Sequence, residues 1–158
     1  MESGGAPQGV APPKGWTEPG FDDSLWSASE SPNPSSCGAT WTPVESWERP
    51  AKPMWDVGDN YAAFFRKVLT VGDVSLLTEA RITVFADDDV AVWVNGIELY
   101  VEADFGMSED TGFDNTVVPK VLELAPVLVS GENTISIHGQ YTAGGCRWAL
   151  VSGSVSSG

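Results

Sequence analysis

Through the second half of the chain, apolar and polar residues alternate with a period of two. In the run from Ala80 to Ala86, Ile82 and Val84 alternate with Arg81 and Thr83, the pattern of a strand with one buried face. Val90, Val92 and Val94 share one face of the next run, which ends at Asn95-Gly96. Asn-Gly is a strong hairpin signal, because both central turn positions need positive φ. Ile97 to Val101 then reads as the return strand. Ile135 and Ile137 point to one side of a later run, and residues 147–155 supply a last strand. Upstream, Phe65, Leu69 and Val71 lie in another strand-like stretch. Residues 117–124 read as an extended segment in which Pro119 marks an edge or an irregularity. One helical turn is expected after Leu124, ending at Gly131. Short strands at this spacing, with turns between them, predict an all-β sandwich.

The first half is different. Residues 1–15 are rich in Gly, Pro and Ala and read as a flexible N-terminal arm. Residues 16–63 hold five Trp and many turn formers but little periodicity. So long a stretch inside a domain is expected to be packed loop with short strands. Residues 103–116 form an acidic, Gly-containing loop. The expected organisation is an arm over 1–15 and a single sandwich domain over 16–158.

Composition narrows the function classes. A chain of 158 residues fits one domain and buries a core without staples. Seven Trp and six Phe exclude a disordered acidic chain, which would be poor in aromatics. A net charge of −14 repels phosphate backbones and anionic lipid surfaces, so neither nucleic acid nor membrane is an expected partner. No apolar run approaches the roughly 20 residues of a membrane span. The N-terminus lacks the basic start and apolar stretch of a signal peptide. Cys37 and Cys146 match no zinc or redox spacing. Paired, they would close a loop of roughly 110 residues, worth about 4.7 kcal/mol in the chain-entropy model. Unpaired, they are two thiols in Gly-containing loops. The pairing is the expectation, because the other features place the chain outside the cytosol.

Four stretches carry a resemblance. Gly15-Trp16 is followed by Phe21-Asp22-Asp23-Ser24-Leu25-Trp26. Phe65-Arg66-Lys67 lies at the start of a strand. Val92-Trp93-Val94-Asn95-Gly96 forms the hairpin. Leu124 to Ile137 contains Gly131-Glu132-Asn133 ahead of a strand. In this order the chain resembles the sugar-binding domain beside the catalytic barrels of glycoside hydrolase family two and of bacterial rhamnosidases, over about residues 15–155. The resemblance implies a galactose-binding-like jelly roll of about eight antiparallel strands. It also implies that Asp22 and Asp23 are structural, shaping a turn ahead of Trp26. The long Trp-rich stretch before Phe65 departs from the family pattern.

Candidate chemistry is sparse. Asp87, Asp88 and Asp89 sit between two strands, where close carboxylates repel one another unless a cation or hydrogen bonds relieve them. Calcium suits oxygen ligands. Neighbours in an extended chain point to opposite faces, so Asp87 and Asp89 are the candidate ligand pair, and a solvated turn is the alternative. His138 is the only histidine and is expected to face away from the core formed by Ile135 and Ile137. No nucleophile motif accompanies it, and no enzyme activity is expected. The aromatics are the better lead, because sugars present apolar C–H faces that match Trp and Tyr rings. Trp41, Trp47, Trp55, Tyr141 and Arg147 are the candidate ligand-binding residues, brought to one sandwich end if Cys37 and Cys146 pair. Alternatively these Trp plug the ends of the sandwich. Trp16, Trp26, Trp93 and Trp148 fall in motifs or strands and are assigned to the scaffold.

The expectation is a non-catalytic, lectin-like carbohydrate-binding or attachment module, extracellular or on a virion surface. Its partners would be a glycan, or neighbouring subunits reached through the N-terminal arm. A phage capsid decoration protein or tail adhesin, and a sugar-binding fragment of a larger glycosidase, are the alternative readings.

Overall fold

Nine strands run through the described residues of the structure, a computed structural model covering 2–6, 12–28, 54, 62–87, 89–102, 119–140 and 148–158. They are β1 (Glu2–Ala6), β2 (Ser27–Ala28), β3 (Ala62–Val71), β4 (Leu77–Asp87), β5 (Asp89–Val94), β6 (Ile97–Val101), β7 (Lys120–Glu123), β8 (Gly131–Gln140) and β9 (Trp148–Ser157). Every pairing is antiparallel. One sheet has the order β2-β1-β3-β8-β5-β6 and the other β7-β4-β9. The chain is an all-β sandwich, as the alternation predicts.

The core lies between the sheets. Ala80, Ile82, Val84 and Ala86 of β4 meet Val90, Val92 and Val94 of β5, Phe65 of β3 and Ile135 and Ile137 of β8. Of these, Ile82, Val84, Val90, Val92, Val94, Ile135 and Ile137 are the residues whose period-two spacing marked them as inward. Complete burial of such a side chain contributes about 1.5–3 kcal/mol relative to exposure. At one rim, where β6 and β7 are edge strands, Lys120 Nζ lies 4.9 Å from the centre of the Tyr100 ring.

The turns are made by the residues expected. Asn95 and Gly96 have φ of 53° and 78° and close the β5–β6 hairpin. One i→i+4 bond, from Leu128 N–H to Leu124 C=O, gives a single helical turn before Gly131, where φ is 102°. The Asn95 and Asn133 side chains bracket this end of the sandwich. Asn133, fully buried, donates to the Val129 and Gly131 carbonyls at 2.7 and 3.0 Å. Its Oδ1 accepts from Val129 N–H and from Asn95 Nδ2, each at 2.8 Å. Asn95 Oδ1 in turn accepts from Thr134 N–H at 2.9 Å, and its Nδ2 donates to Val127 C=O at 3.0 Å. Two of the family-like motifs are therefore one hydrogen-bonded unit. Their amides serve as substitute partners for turn backbone that would otherwise be unsatisfied.

Part of the N-terminal stretch is strand. Glu2–Ala6 pairs with Ala62–Arg66 along the edge of β3. Backbone pairing asks nothing of side chains, so a Gly-rich segment can cover a sheet edge without any apolar pattern. Ser27 and Ala28 add a two-residue strand outside it, and Met54 makes an isolated bridge to Ala149. One short strand and one bridge thus occur among the described residues of the Trp-rich stretch.

Candidate functional site

The two ends of the sandwich are built differently. At one end the connections are short: residues 72–76, Asn95-Gly96 and 124–130. At the other end, strand termini gather beside one another. Ala62 pairs with Gln140, and Gln140 pairs with Asp89. Asp87 pairs with Trp148, and Met54 with Ala149. One residue separates β4 from β5, so the two sheets meet at this point. β6 also ends there, with Val101 opposite Ala91. The chain segments that follow Met54, Val101 and Gln140 and that precede Ala62 and Trp148 therefore join the sandwich at a single end.

The described part of this end has an outer wall on the six-stranded sheet. Cross-strand register sets Ala62, Gln140 and Asp89 in one row, Phe64, His138 and Ala91 in the next, and Arg66, Ser136 and Trp93 in the third. All three rows face away from the core between the sheets. The segment from Pro12 to Trp26 covers part of them. Trp16 is only 6% exposed; its ring stacks on Trp26 at 6.5 Å and meets Phe64 and Trp93 edge-on at 5.2 and 5.4 Å. Three of the four scaffold tryptophans thus form a second, smaller apolar layer. Trp148 belongs to β9.

Arg66 holds this layer in place. It is buried in the middle of a strand, and among the described residues its guanidinium bonds to the covering segment. Its Nε donates to Asp23 Oδ2 at 2.9 Å, and one terminal nitrogen donates to the carbonyls of Trp16 and Glu18. The Phe21 ring centre lies 5.1 Å from the guanidinium carbon. The Asp22 carboxylate accepts from Ser24 N–H at 3.0 Å, and hydrogen bonding from the Ser24 side chain, then from its backbone, lowers the Asp22 pKa. Both aspartates therefore shape or anchor the turn ahead of Trp26. Glu18 lies over Gly96, where a Cβ would come within 2.4 Å of its carboxylate.

His138 does lie on the face turned away from the main core, yet it is only partly exposed there. Its ring is tilted over Phe64, 4.5 Å between centres. Burial pushes its pKa down to about 4, against a smaller opposing effect from a hydrogen bond with Gln140. A neutral imidazole is the result at neutral pH.

Asp89 is 2% exposed and begins β5 in the six-stranded sheet, whereas Asp87 ends β4 in the three-stranded one. The candidate calcium pair is thus divided between the sheets. Among the described residues, no three His, Cys, Asp or Glu side chains gather as metal ligands. The wall around Asp89, Gln140 and His138 was not legible as a unit in the sequence, because strand register alone brings it together. Trp41, Trp47, Trp55, Tyr141, Arg147, Cys37 and Cys146 lie outside the described residues, as does Asp88.

No family model and no curated protein sequence matches the chain. Solved structures do. An α-L-rhamnosidase from Streptomyces avermitilis, solved with L-rhamnose, superposes with a TM-score of 0.53 at 18% identity over 74% of this chain. A β-glycosidase from Bacteroides vulgatus gives 0.52 at 18% identity over 97%. A glycosyl hydrolase family 2 member from Bacteroides cellulosilyticus gives 0.53 at 14% identity over 97%. The chain spans only 12–19% of the length of these proteins. At this identity the likeness is one of fold. The chain is an all-β sandwich similar to a small portion of glycoside hydrolase family 2 enzymes and of a rhamnosidase.

Proposed function

We propose that the chain is a non-catalytic carbohydrate-binding module of the kind built into glycosidases, with its ligand taken up at the loop-bearing end of the sandwich. The observation that carries this reading is the fold match: nearly the whole chain aligns with less than a fifth of enzymes that act on glycosides. Sequence position adds to it. Trp55 follows Met54, Tyr141 follows Gln140 and Arg147 precedes Trp148, and those three neighbours lie at the end where the strands gather. Trp41 and Trp47 precede Met54 in the same Trp-rich stretch. Trp and Tyr rings offer platforms to the C–H face of a sugar, and Arg147 offers donors to its hydroxyls. A net charge of −14 favours a neutral glycan over a polyanionic one. A Cys37–Cys146 disulfide would tie the two stretches together and suits a glycan met outside the cell.

Titration of intrinsic Trp fluorescence with a panel of neutral oligosaccharides tests the reading. Saturable quenching or enhancement is expected, with loss of the response in Trp55→Ala and Arg147→Ala at unchanged melting temperature. No response to any neutral glycan at millimolar concentration would overturn it.

A further inference from the structure

Among the described residues, one long strand edge of the sandwich is largely unpaired. In the three-stranded sheet both β7 and β9 are edges. β7 is four residues long, follows Pro119 and carries Lys120 and Glu123, the usual protection of an edge against pairing. In the other sheet, β6 carries Glu98 and a register shift, and β2 is two residues long. β9 is neither short nor charged, and its one register shift against β4 lies at the far end, where Ser156 and Ser157 pair with Glu79 and Leu77. It is ten residues long, and Trp148 to Gly158 contains no Asp, Glu, Lys, Arg, His or Pro, in a chain of net charge −14.

The direction of its open hydrogen bonds is fixed. Ala149 exchanges N–H and C=O with Met54 at 2.9 Å each, on the side away from β4. In an antiparallel strand alternate residues direct both backbone groups to the same side. Val151, Gly153 and Val155 therefore direct theirs outward too, and among the described residues nothing pairs with them. Gly153 is exposed, and Val155 is 42% exposed although it faces the inter-sheet side opposite Ala80. Beside it lies a groove of about 250 Å³ whose lining joins Leu69, Val71, Leu76, Leu77 and Val155 to polar residues that include Asp73 and Ser156.

The occupant is indicated by the sequence of the edge itself. Val151-Ser152-Gly153-Ser154-Val155 reads the same in both directions. We propose that two copies of this chain associate through β9, antiparallel about a twofold axis at Gly153, so that two three-stranded sheets continue into one of six strands. Val151 of each copy then stands opposite Val155 of the other, and Ser152 opposite Ser154. The outward N–H and C=O groups of Val151, Gly153 and Val155 all find partners. The partner's Val151 also lies beside Val155 at the mouth of the groove, covering apolar surface. A symmetric interface must be self-complementary in this way. An uncharged strand is the place where two strongly acidic chains can approach, and the remaining repulsion is screened by salt. A single strand pair buries little area, so the association is weak and concentration-dependent.

Sedimentation equilibrium of the full chain, from micromolar to millimolar and at low and high salt, tests this. A monomer–dimer equilibrium that strengthens with salt is expected. Amide exchange at Val151, Gly153 and Val155 should slow as concentration rises. Val155→Pro removes an outward donor while sparing the bonds to β4, and Val155→Glu keeps the donor but adds an acid at the interface. Each should weaken dimerisation at least about tenfold, and the second keeps the test valid should the first not fold. Gly153 is unsuitable for substitution, because a Cβ there would lie 2.6 Å from Arg81 C=O. A wild type that stays monomeric throughout overturns the proposal, as do two folded variants that dimerise like wild type. A monomer that binds a synthetic peptide of residues 150–157 overturns the pairing of whole copies and assigns the edge to an extended segment instead.

Discussion

Replacing Arg66 by Met tests whether one buried cation holds the outer aromatic layer on the sheet. The side chain is 1% exposed, and its polar partners all belong to residues 16–23. Methionine keeps most of the apolar volume, so the change isolates the hydrogen bonds. Bonds to a charged donor are worth about 1.5–3 kcal/mol each, but the three do not add in full. Asp23 is 27% exposed and regains water when its partner leaves, which discounts that bond. The Trp16 carbonyl is the main loss, since it sits under the most buried residue of the covering segment. A net cost of about 3 kcal/mol follows, equivalent to a fall of about 6–12 °C in melting temperature for a chain of this size. Asp23→Asn should cost only about 1 kcal/mol, because the guanidinium keeps two carbonyls and the Phe21 ring. Thermal unfolding followed by circular dichroism gives the totals. Trp fluorescence shows whether Trp16 and Trp26 become solvated before the sandwich melts. If Arg66→Met melts within a degree of wild type, Arg66 does not hold the layer and the reasoning fails.

Three further outcomes are expected. Asn133→Ala removes four hydrogen bonds, strands Val129 N–H and leaves the Asn95 Nδ2 with Val127 C=O alone; it should cost about 3–4 kcal/mol by chemical denaturation, and less than 1 kcal/mol would show that water replaces the bracket. His138 has a folded pKa of about 4, below its unfolded value of about 6.5, so the unfolded chain binds the extra proton. Its contribution is complete above pH 6.5 and is lost as pH falls towards 4, on the order of 3 kcal/mol in total. His138→Phe should flatten the stability–pH curve between pH 4 and 6.5, and an unchanged slope would place the effect elsewhere. Gly96→Ala forces a positive φ on an L side chain and presses a Cβ on Glu18. A loss of about 1–2 kcal/mol is expected in an urea titration, with partial recovery in the Glu18→Ala background.

The sequence made the inter-sheet core legible because along β4, β5 and β8 the aliphatic side chains that meet between the sheets recur at every second position. It was less legible in β3. Residues 62–66 are buried on both faces, so their pattern is a continuous run containing an arginine, which no period describes. Arg66 could be placed in a motif, but its role could not be read, since its partners lie 43–50 residues away. The Glu2–Ala6 strand was hidden for a different reason, because a Gly-rich segment has no side-chain pattern by which pairing is recognised. Asp87 and Asp89 looked like neighbours for one ion because the sequence does not show that the chain changes sheets between them. Of the candidate site, the loop-bearing end emerges only from strand register, while the rings assigned to it were chosen by chemistry.

The contrast between the ends has an evolutionary consequence. The Asn95–Asn133 bracket commits one end to fixed identities, since each amide there answers a particular backbone group. The opposite end is where the long connections leave one strand and enter another. Substitutions and insertions are thereby channelled towards a single face, and a lineage can explore new recognition there while the clamp beneath keeps the strands in register. Grafting foreign loops between Gln140 and Trp148 should leave folding intact, whereas the same graft between Asn95 and Ile97 should not.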